Sequence, residues 1–429
     1  MSDIDIMRRV RTAARITAGR TIFWSLARSG DLLSRFLQPG PGDDAYVLYE
    51  RMRARGPVHR SRTGAYVVTS HALCSQVLRD PRFRVRDLSG RPADFDPFSD
   101  EATGPVAESF LEQDPPDHTR LRRLVAPAFR PALVRDYRSR IETIAHDLLD
   151  AAARRGSFDL ITDFAAPLPI TVITELLGVP DVDTDRFARF GAVVGQSLGG
   201  VYSVRQAEEL RVATQDLETL FVELEAHRRE HPGDDVPSIL GAARAQGRLS
   251  MDELVATCGL LLIAGFETTV NLIGNATVAL AHRPDQWELL RGEPVRAVAA
   301  VEETLRWDPS VQATVRVAHE PVELAGTTLP AGGRVILMLA AANRDPAAYD
   351  DPGRFDITRT GGPDHLAFSS GIHYCLGAPL ARLEGEVALQ VLADRLPRLH
   401  VAGPLRRRPG SAIRGFASIP MTAPALAAR

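Results

Sequence analysis

Apolar residues recur every three or four positions through most of region 117–280, and that rhythm predicts a succession of helices. The rhythm breaks at Pro127, Pro131, Gly156, Pro167, Gly178-Val179-Pro180, Gly199-Gly200 and the stretch HPGDDVP. One helix in this run is long, from about 251 to 282. Ser250 and Glu253 form a capping box at its start, and Pro284 ends it. At about 1.5 Å per residue it spans roughly 45 Å, the width of a whole domain. Its longest apolar run, Leu254 to Phe266, is interrupted by Thr257 and Gly259 and is too short to cross a bilayer.

Elsewhere the period changes. GPVHRSRTGAYVVTS reads as two short strands around a Gly turn, and HALCSQVLRD as a short helix stopped by Pro81. Residues 84–112 form a Pro-, Gly- and Asp-rich connection with little periodicity, a length associated with function or disorder. Strand patterns return at 313–318, 322–324 and 334–340, and more weakly near 412–420. The pattern predicts a mainly α protein with small β-sheets and no internal repeat.

The N-terminal 40 residues are a separate matter. Val10, Ala13, Ile16, Ile22, Phe23, Leu26, Leu33 and Phe36 fall near helical spacing with arginines between them. A membrane-surface helix has this pattern, but so does an extra helix packed on its own domain, the preferred reading. No long apolar run follows Arg8-Arg9, so a secretion signal is not expected. We expect a cytoplasmic protein without a transmembrane segment, divided into a basic, helical extension (1–40) and a main domain (41–429).

Composition adds exclusions. With 45% hydrophobic and 24% charged residues and a net charge of −3, the chain suits a large globular core and offers no global field for nucleic acid. Its basic residues are all Arg or His, with no Lys, which reads first as a coding bias, although some arginines are candidates for a docking face. Three cysteines, Cys74, Cys258 and Cys375, without C-x-x-C spacing exclude a disulfide framework and fit a reducing compartment.

Cys375 carries the first chemical signal. It lies in HLAFSSGIHYCLG between Gly371 and Gly377, with Phe368 and His373 before it and a helical pattern containing Pro379 after it. A thiolate there sits near a helix N-terminus, which favours the anion. Two other readings remain on the loop alone: a buried structural thiol, and a weak H-x-C metal pair. The second signal is AGFETT within the long helix. Ala264-Gly265 permits close approach, and Glu267-Thr268 puts an acid and a hydroxyl into an apolar stretch. The third is Glu303 and Arg306, three apart on one helix face. The fourth is a scatter of cations: His118 and Arg122 one turn apart after Asp114, a plausible N-cap; Arg316 in an alternating strand; and His373.

Together, in this order, these motifs resemble the cytochromes P450 of the soluble bacterial type, from about Asp43 to Pro420. The resemblance implies a single large domain holding haem b between the long central helix and the Cys loop with its following helix. It implies Cys375 as iron ligand, and His118, Arg122, Arg316 and His373 as partners of the haem propionates. Phe368, Gly371, Gly377, Ala264 and Gly265 would adjoin the haem. It makes Thr268 and Glu267 the proton-delivering pair, and Glu303 and Arg306 a structural brace joined by Asn343, Arg344 and Arg359. Leu88, Ile263, Val311 and Phe416 would line the substrate site, with Gln312, Thr314 and Arg91 as polar handles. Ser369 stands where Gly is frequent, and Tyr374 immediately precedes the Cys.

The implied reaction is insertion of one atom of O2 into an apolar small molecule, a hydroxylation or epoxidation in secondary metabolism. The electrons would come from NAD(P)H through a ferredoxin reductase and a ferredoxin docked near Arg120 and Arg123. Oxidative coupling or desaturation is the alternative within the family, and a non-catalytic activator of another enzyme the alternative outside catalysis.

Overall fold

The computed structural model describes residues 3–40, 42–95, 106–179, 184–197, 203–233, 235–408 and 410–422. Residues 96–105 of the expected long connection lie outside this set, as do Pro180, Gly199 and Gly200.

The helical rhythm holds. The central helix runs Met251–Ala281, and its N-terminus carries the expected capping box, Ser250 Oγ accepting the Glu253 N–H at 3.1 Å and the Glu253 carboxylate accepting the Ser250 N–H at 2.8 Å. Helices Pro167–Leu176, Thr184–Ser197, Val204–Glu230 and Ala378–Arg395 pack around it. By length and composition the central helix qualifies as a membrane span, but 83% of its most apolar window is buried within the fold.

A five-stranded sheet forms the second lobe. Its strands lie in the order Val58–Arg60, Tyr66–Val68, Arg334–Leu337, Thr314–Ala318, Phe83–Arg84, antiparallel except for the pairing of 66–68 with 335–337. The strand expected over 334–340 ends at Leu337, and residues Leu339–Ala342 form a helical turn instead. Several short pairings escaped the sequence reading. Ser157–Asp159 pairs with Pro420–Thr422 inside the nominally helical region, and Val322–Leu324 finds Thr327–Leu329. Short runs of this kind give too few residues for a period.

The N-terminal segment is helical, Asp3–Arg28 and Leu32–Leu37. Phe23, Leu32, Leu33 and Phe36 are buried in one core with Tyr49, Ile336 and Met338, so this segment packs against the sheet lobe.

Asp114 does not cap the helix that follows it. That helix begins at Asp117, and the Asp114 carboxylate instead accepts the N–H groups of Val85 and Arg86 at 3.1 and 3.2 Å. Pro116, two residues on, removes one of the two N–H donors a cap at Asp114 would use and leaves only that of Asp117.

Candidate active site

From residue 256 to 277 the central helix is buried at every position except Ala264, Gly265 and Thr268. Ala264 and Thr268, one turn apart, share a face, so the interior of the protein opens onto the middle of this helix. Thr268 donates its hydroxyl to the Ala264 carbonyl at 2.8 Å, and its own carbonyl accepts from Ser310 Oγ at 2.7 Å. Gly265 answers to a different neighbour: a Cβ there would stand 3.0 Å from Ile173 Cγ1. The close approach anticipated for this glycine is made by helix Pro167–Leu176.

Of the three cysteines only Cys375 is exposed; Cys74 and Cys258 are buried. The loop that presents it is held at several points. Its N–H donates to the Phe368 carbonyl at 2.9 Å, and Leu366 N–H donates to Asn343 Oδ1 at 2.7 Å. Gly371 has φ +69°, and a Cβ would meet the Leu78 carbonyl oxygen at 2.4 Å, so only glycine fits. Gly377 shows neither constraint: its φ is −81° and no protein atom lies within 4 Å of a Cβ position. Ser369, at φ 62°, adopts the left-handed conformation that glycine takes at no cost, and its buried hydroxyl has no partner.

Although part of Cys375 is open, enough protein surrounds the sulfur that desolvation holds the thiol above its ordinary range. The N–H groups of Gly377 and Ala378 and the charges of Arg122 and Arg382 pull the other way without prevailing. The helix N-terminus alone therefore does not make the thiolate, as the sequence suggested; a coordinated metal cation does so outright. Phe368 packs beside the loop, with the Arg382 guanidinium 4.6 Å from its ring and Tyr374 in edge contact at 6.3 Å.

Four basic residues converge near this loop without acidic partners among the described residues. His118 is 2% exposed, both its ring nitrogens lack hydrogen-bond partners, and its ring lies 4.4 Å from that of His373. Arg316 is buried and donates only to Val315 O and Thr314 Oγ1, at 2.7 and 3.2 Å. Arg122 donates to the Tyr374 carbonyl at 2.6 Å. Burial lowers Arg316 to about 10 against the pull of the Asp114 carboxylate, and burial together with the nearby charges of Arg316, His118 and Arg122 lowers His373 to about 2. Burying uncompensated cations is costly. A cofactor bearing carboxylates and an iron open to a thiolate would relieve both the unpartnered imidazole and the repulsion, so the residues present fit haem.

Behind the loop, Glu303 and Arg306 form a two-pronged ion pair at 2.7 and 2.8 Å, with both side chains at most 5% exposed. Arg306 also donates to the carbonyls of Asn343, Pro352 and Arg354. Arg359 reaches Glu303 at 3.3 Å. Asn343 and Arg359 thus join the brace. Arg344 does not: it donates to the Trp307 carbonyl and lies over the rings of Tyr46 and Trp307 at 3.4 and 4.3 Å.

The residues expected around a substrate differ in exposure. Ile263 and Phe416 are almost fully buried, Val311 is half-buried and bridges to Ile413, and Leu88 is exposed beside Gly332. Gln312 is committed to Tyr49 at 2.6 Å, Thr314 accepts from Arg316, and Arg91 pairs with Asp87 on the surface.

Two buried acids were not anticipated in their surroundings. Glu267 pairs with Arg408, at 3.1 and 3.2 Å, a partner far away in sequence. Glu384, in helix Ala378–Arg395, is 1% exposed and neither of its carboxyl oxygens has a hydrogen-bond partner. A lone acid on the apolar face of a strong helix pattern is a signal the sequence did carry.

Comparison with known proteins gives a consistent result. The family model described as cytochrome P450 matches residues 211–395. A protein named cytochrome P450 107B1 from Saccharopolyspora erythraea is 42% identical over 402 residues, covering 88% of this chain and 95% of its own. Putative cytochrome P450 140 of Mycobacterium tuberculosis is 40% identical, covering 92% and 93%. Among solved structures, the P450 enzyme CxnD, described as forming a C–S bond in chuangxinmycin biosynthesis, is similar with a TM-score of 0.83 and 36% identity, covering 90% of this chain and 96% of its own.

Proposed function

The chain belongs to the cytochrome P450 family of haem-dependent oxidoreductases, and from that premise we propose that it inserts one atom of O2 into an apolar small molecule. The substrate is a secondary metabolite and the outcome a hydroxylation or epoxidation. The observation that carries the reading is the opening at Ala264–Thr268 on the central helix, together with the accessible Cys375 and the basic residues gathered beside its loop, His118 among them without a hydrogen-bond partner.

Bound haem supplies reductive activation of dioxygen. The chain's own residues do the rest. Cys375 would ligate the iron, its sulfur steadied by the N–H groups of Gly377 and Ala378 and shielded by Phe368. His118, Arg122, Arg316 and His373 would bind the two carboxylates. Thr268, whose hydroxyl rests on the Ala264 carbonyl at 2.8 Å, would pass protons at the exposed face of the helix, with Glu267, the preceding residue, as their source. The stoichiometry is R–H + O2 + two electrons + two protons giving R–OH + water.

The electrons come from NAD(P)H through a ferredoxin and its reductase, and the enzyme works in the cytoplasm. Arg123 is exposed one residue from Arg122 and serves the docking face; charge reversal there should raise the KM for ferredoxin while leaving substrate affinity unchanged. Arg120 is withdrawn from that role, since it pairs with Asp117 and Glu253.

Turnover under isotopically heavy O2 tests the proposal. One heavy oxygen atom per product molecule is expected. An oxidised product without added oxygen would instead support coupling or desaturation, the second reading, which the likeness to a C–S bond-forming enzyme favours.

A further inference from the structure

The N-terminal helix Asp3–Arg28 presents two unlike faces. One is closed by the domain. Gly19 and Phe23 are buried there, Ile16, Leu26 and Ala27 half-buried, and Phe23 belongs to the core of the sheet lobe. The opposite face carries Ala14, Thr17, Ala18, Thr21, Ile22 and Trp24, all exposed, with Ser25 and Arg28 in its last turn. Trp24 is 57% exposed and Ile22 39%.

Two details suit this face to an apolar medium. Thr17 Oγ1 donates to the Ala13 carbonyl at 2.7 Å, and Thr21 Oγ1 to the Thr17 carbonyl at 2.8 Å. Both hydroxyls are satisfied within the helix, so these threonines can leave water without stranding a donor. Trp24 holds the Arg28 guanidinium over its ring at 4.8 Å, and Arg28 makes no ion pair among the described residues. A tryptophan with a cation at its edge fits a boundary between lipid and water, the ring entering the apolar side and the charge staying with the headgroups.

Charge selects the occupant. Between Asp5 and Asp31 the sequence has six arginines and no acid. That stretch contributes +6 to a chain whose formal charge is −3, so the rest of the molecule carries −9. A surface of anionic headgroups complements such a stretch. A second copy would bring the same positive stretch against it, and like charge opposes that pairing.

We propose that the helix Asp3–Arg28 docks the enzyme peripherally on an anionic lipid surface. Trp24 and Ile22 enter the headgroup boundary, the basic stretch supplies the attraction, and Phe23 keeps the helix on its domain. This goes beyond the monooxygenase reading and does not rest on it.

The test is co-sedimentation of the full-length, haem-loaded enzyme with extruded vesicles of phosphatidylglycerol and phosphatidylcholine in equal parts. Wild type should bind them about tenfold or more tightly than vesicles of phosphatidylcholine alone, and about 0.5 M NaCl should abolish the difference. Ile22→Ser/Trp24→Ser should weaken binding about tenfold while its haem–thiolate absorption stays that of wild type. Brominated lipid should quench part of the tryptophan fluorescence of wild type, and Trp24→Phe should lose that part. If the double variant does not fold, the quenching comparison with Trp24→Phe carries the test. Absence of vesicle binding, binding indifferent to headgroup charge, unchanged binding by the double variant, or quenching that survives Trp24→Phe would each overturn the proposal. So would a dimer in sedimentation velocity that the double variant loses, without vesicle binding, which would assign the face to a second copy. Retention on heparin without vesicle binding would overturn it in favour of a soluble acidic partner. Failure of the monooxygenase reading would appear separately, in a wild type that binds vesicles yet lacks haem–thiolate absorption.

Discussion

Arg306 grips Glu303 with two hydrogen bonds, at 2.7 and 2.8 Å, and places its remaining donors on the carbonyls of Asn343, Pro352 and Arg354. Asn343 in turn accepts the Leu366 N–H at the entrance of the Cys loop. The pair thus holds the segment 343–359 against the helix that bears it, and through Asn343 holds the loop that bears Cys375.

Breaking such a pair from one side leaves a buried charge uncompensated. Arg306→Leu should cost about 3–5 kcal/mol of stability and lower haem content with it. Denaturant titration alongside haem-to-protein ratio checks this; a variant that retains both would show that the brace is dispensable.

Ser369 supports the opposite kind of change. It occupies a left-handed conformation at φ 62° with an unpartnered buried hydroxyl. Ser369→Gly should stabilise the protein by about 1 kcal/mol, visible as a higher Tm. Gly371→Ala, two residues on, should do severe damage, because its Cβ would collide with the Leu78 carbonyl.

Glu384 makes stability depend on pH. Burial raises its carboxyl from an ordinary 4.5 to about 8. Between these values the unfolded chain has released the proton and the native protein keeps it, so stability falls as pH rises through that window. Glu384→Gln removes the titration. Its gain over wild type should grow from nothing near pH 4.5 to a few kcal/mol near pH 8. Denaturation midpoints measured across that range test the sign; a constant offset would contradict it.

Thr268→Ala removes the hydroxyl at the open face and leaves the Ala264 carbonyl without its side-chain donor. Substrate binding, followed by spectral titration, should persist, while the share of reducing equivalents lost as peroxide should rise about tenfold or more. Wild-type coupling would remove Thr268 from proton delivery.

The sequence is most informative where chemistry depends on residues close together. The capping box at Ser250, the Cys375 loop and the Glu303–Arg306 spacing were readable because each is local. What it concealed is contact across the fold. Nothing around Glu267 points to Arg408, and nothing around Gly265 points to Ile173. Asp114 looked like a cap because its competing partners, Val85 and Arg86, come from another segment. The expected substrate-lining residues carry no local signal, since a pocket is assembled from single residues contributed by many elements.

The central claim is a sulfur–iron bond at Cys375. The purified haem-loaded protein should be reduced and exposed to carbon monoxide, in wild type and in Cys375→Ser. Wild type should give the strongly red-shifted Soret band of thiolate coordination and the variant should lack it; a wild type that is folded and haem-loaded but without that band, or a variant that retains it, would contradict the account.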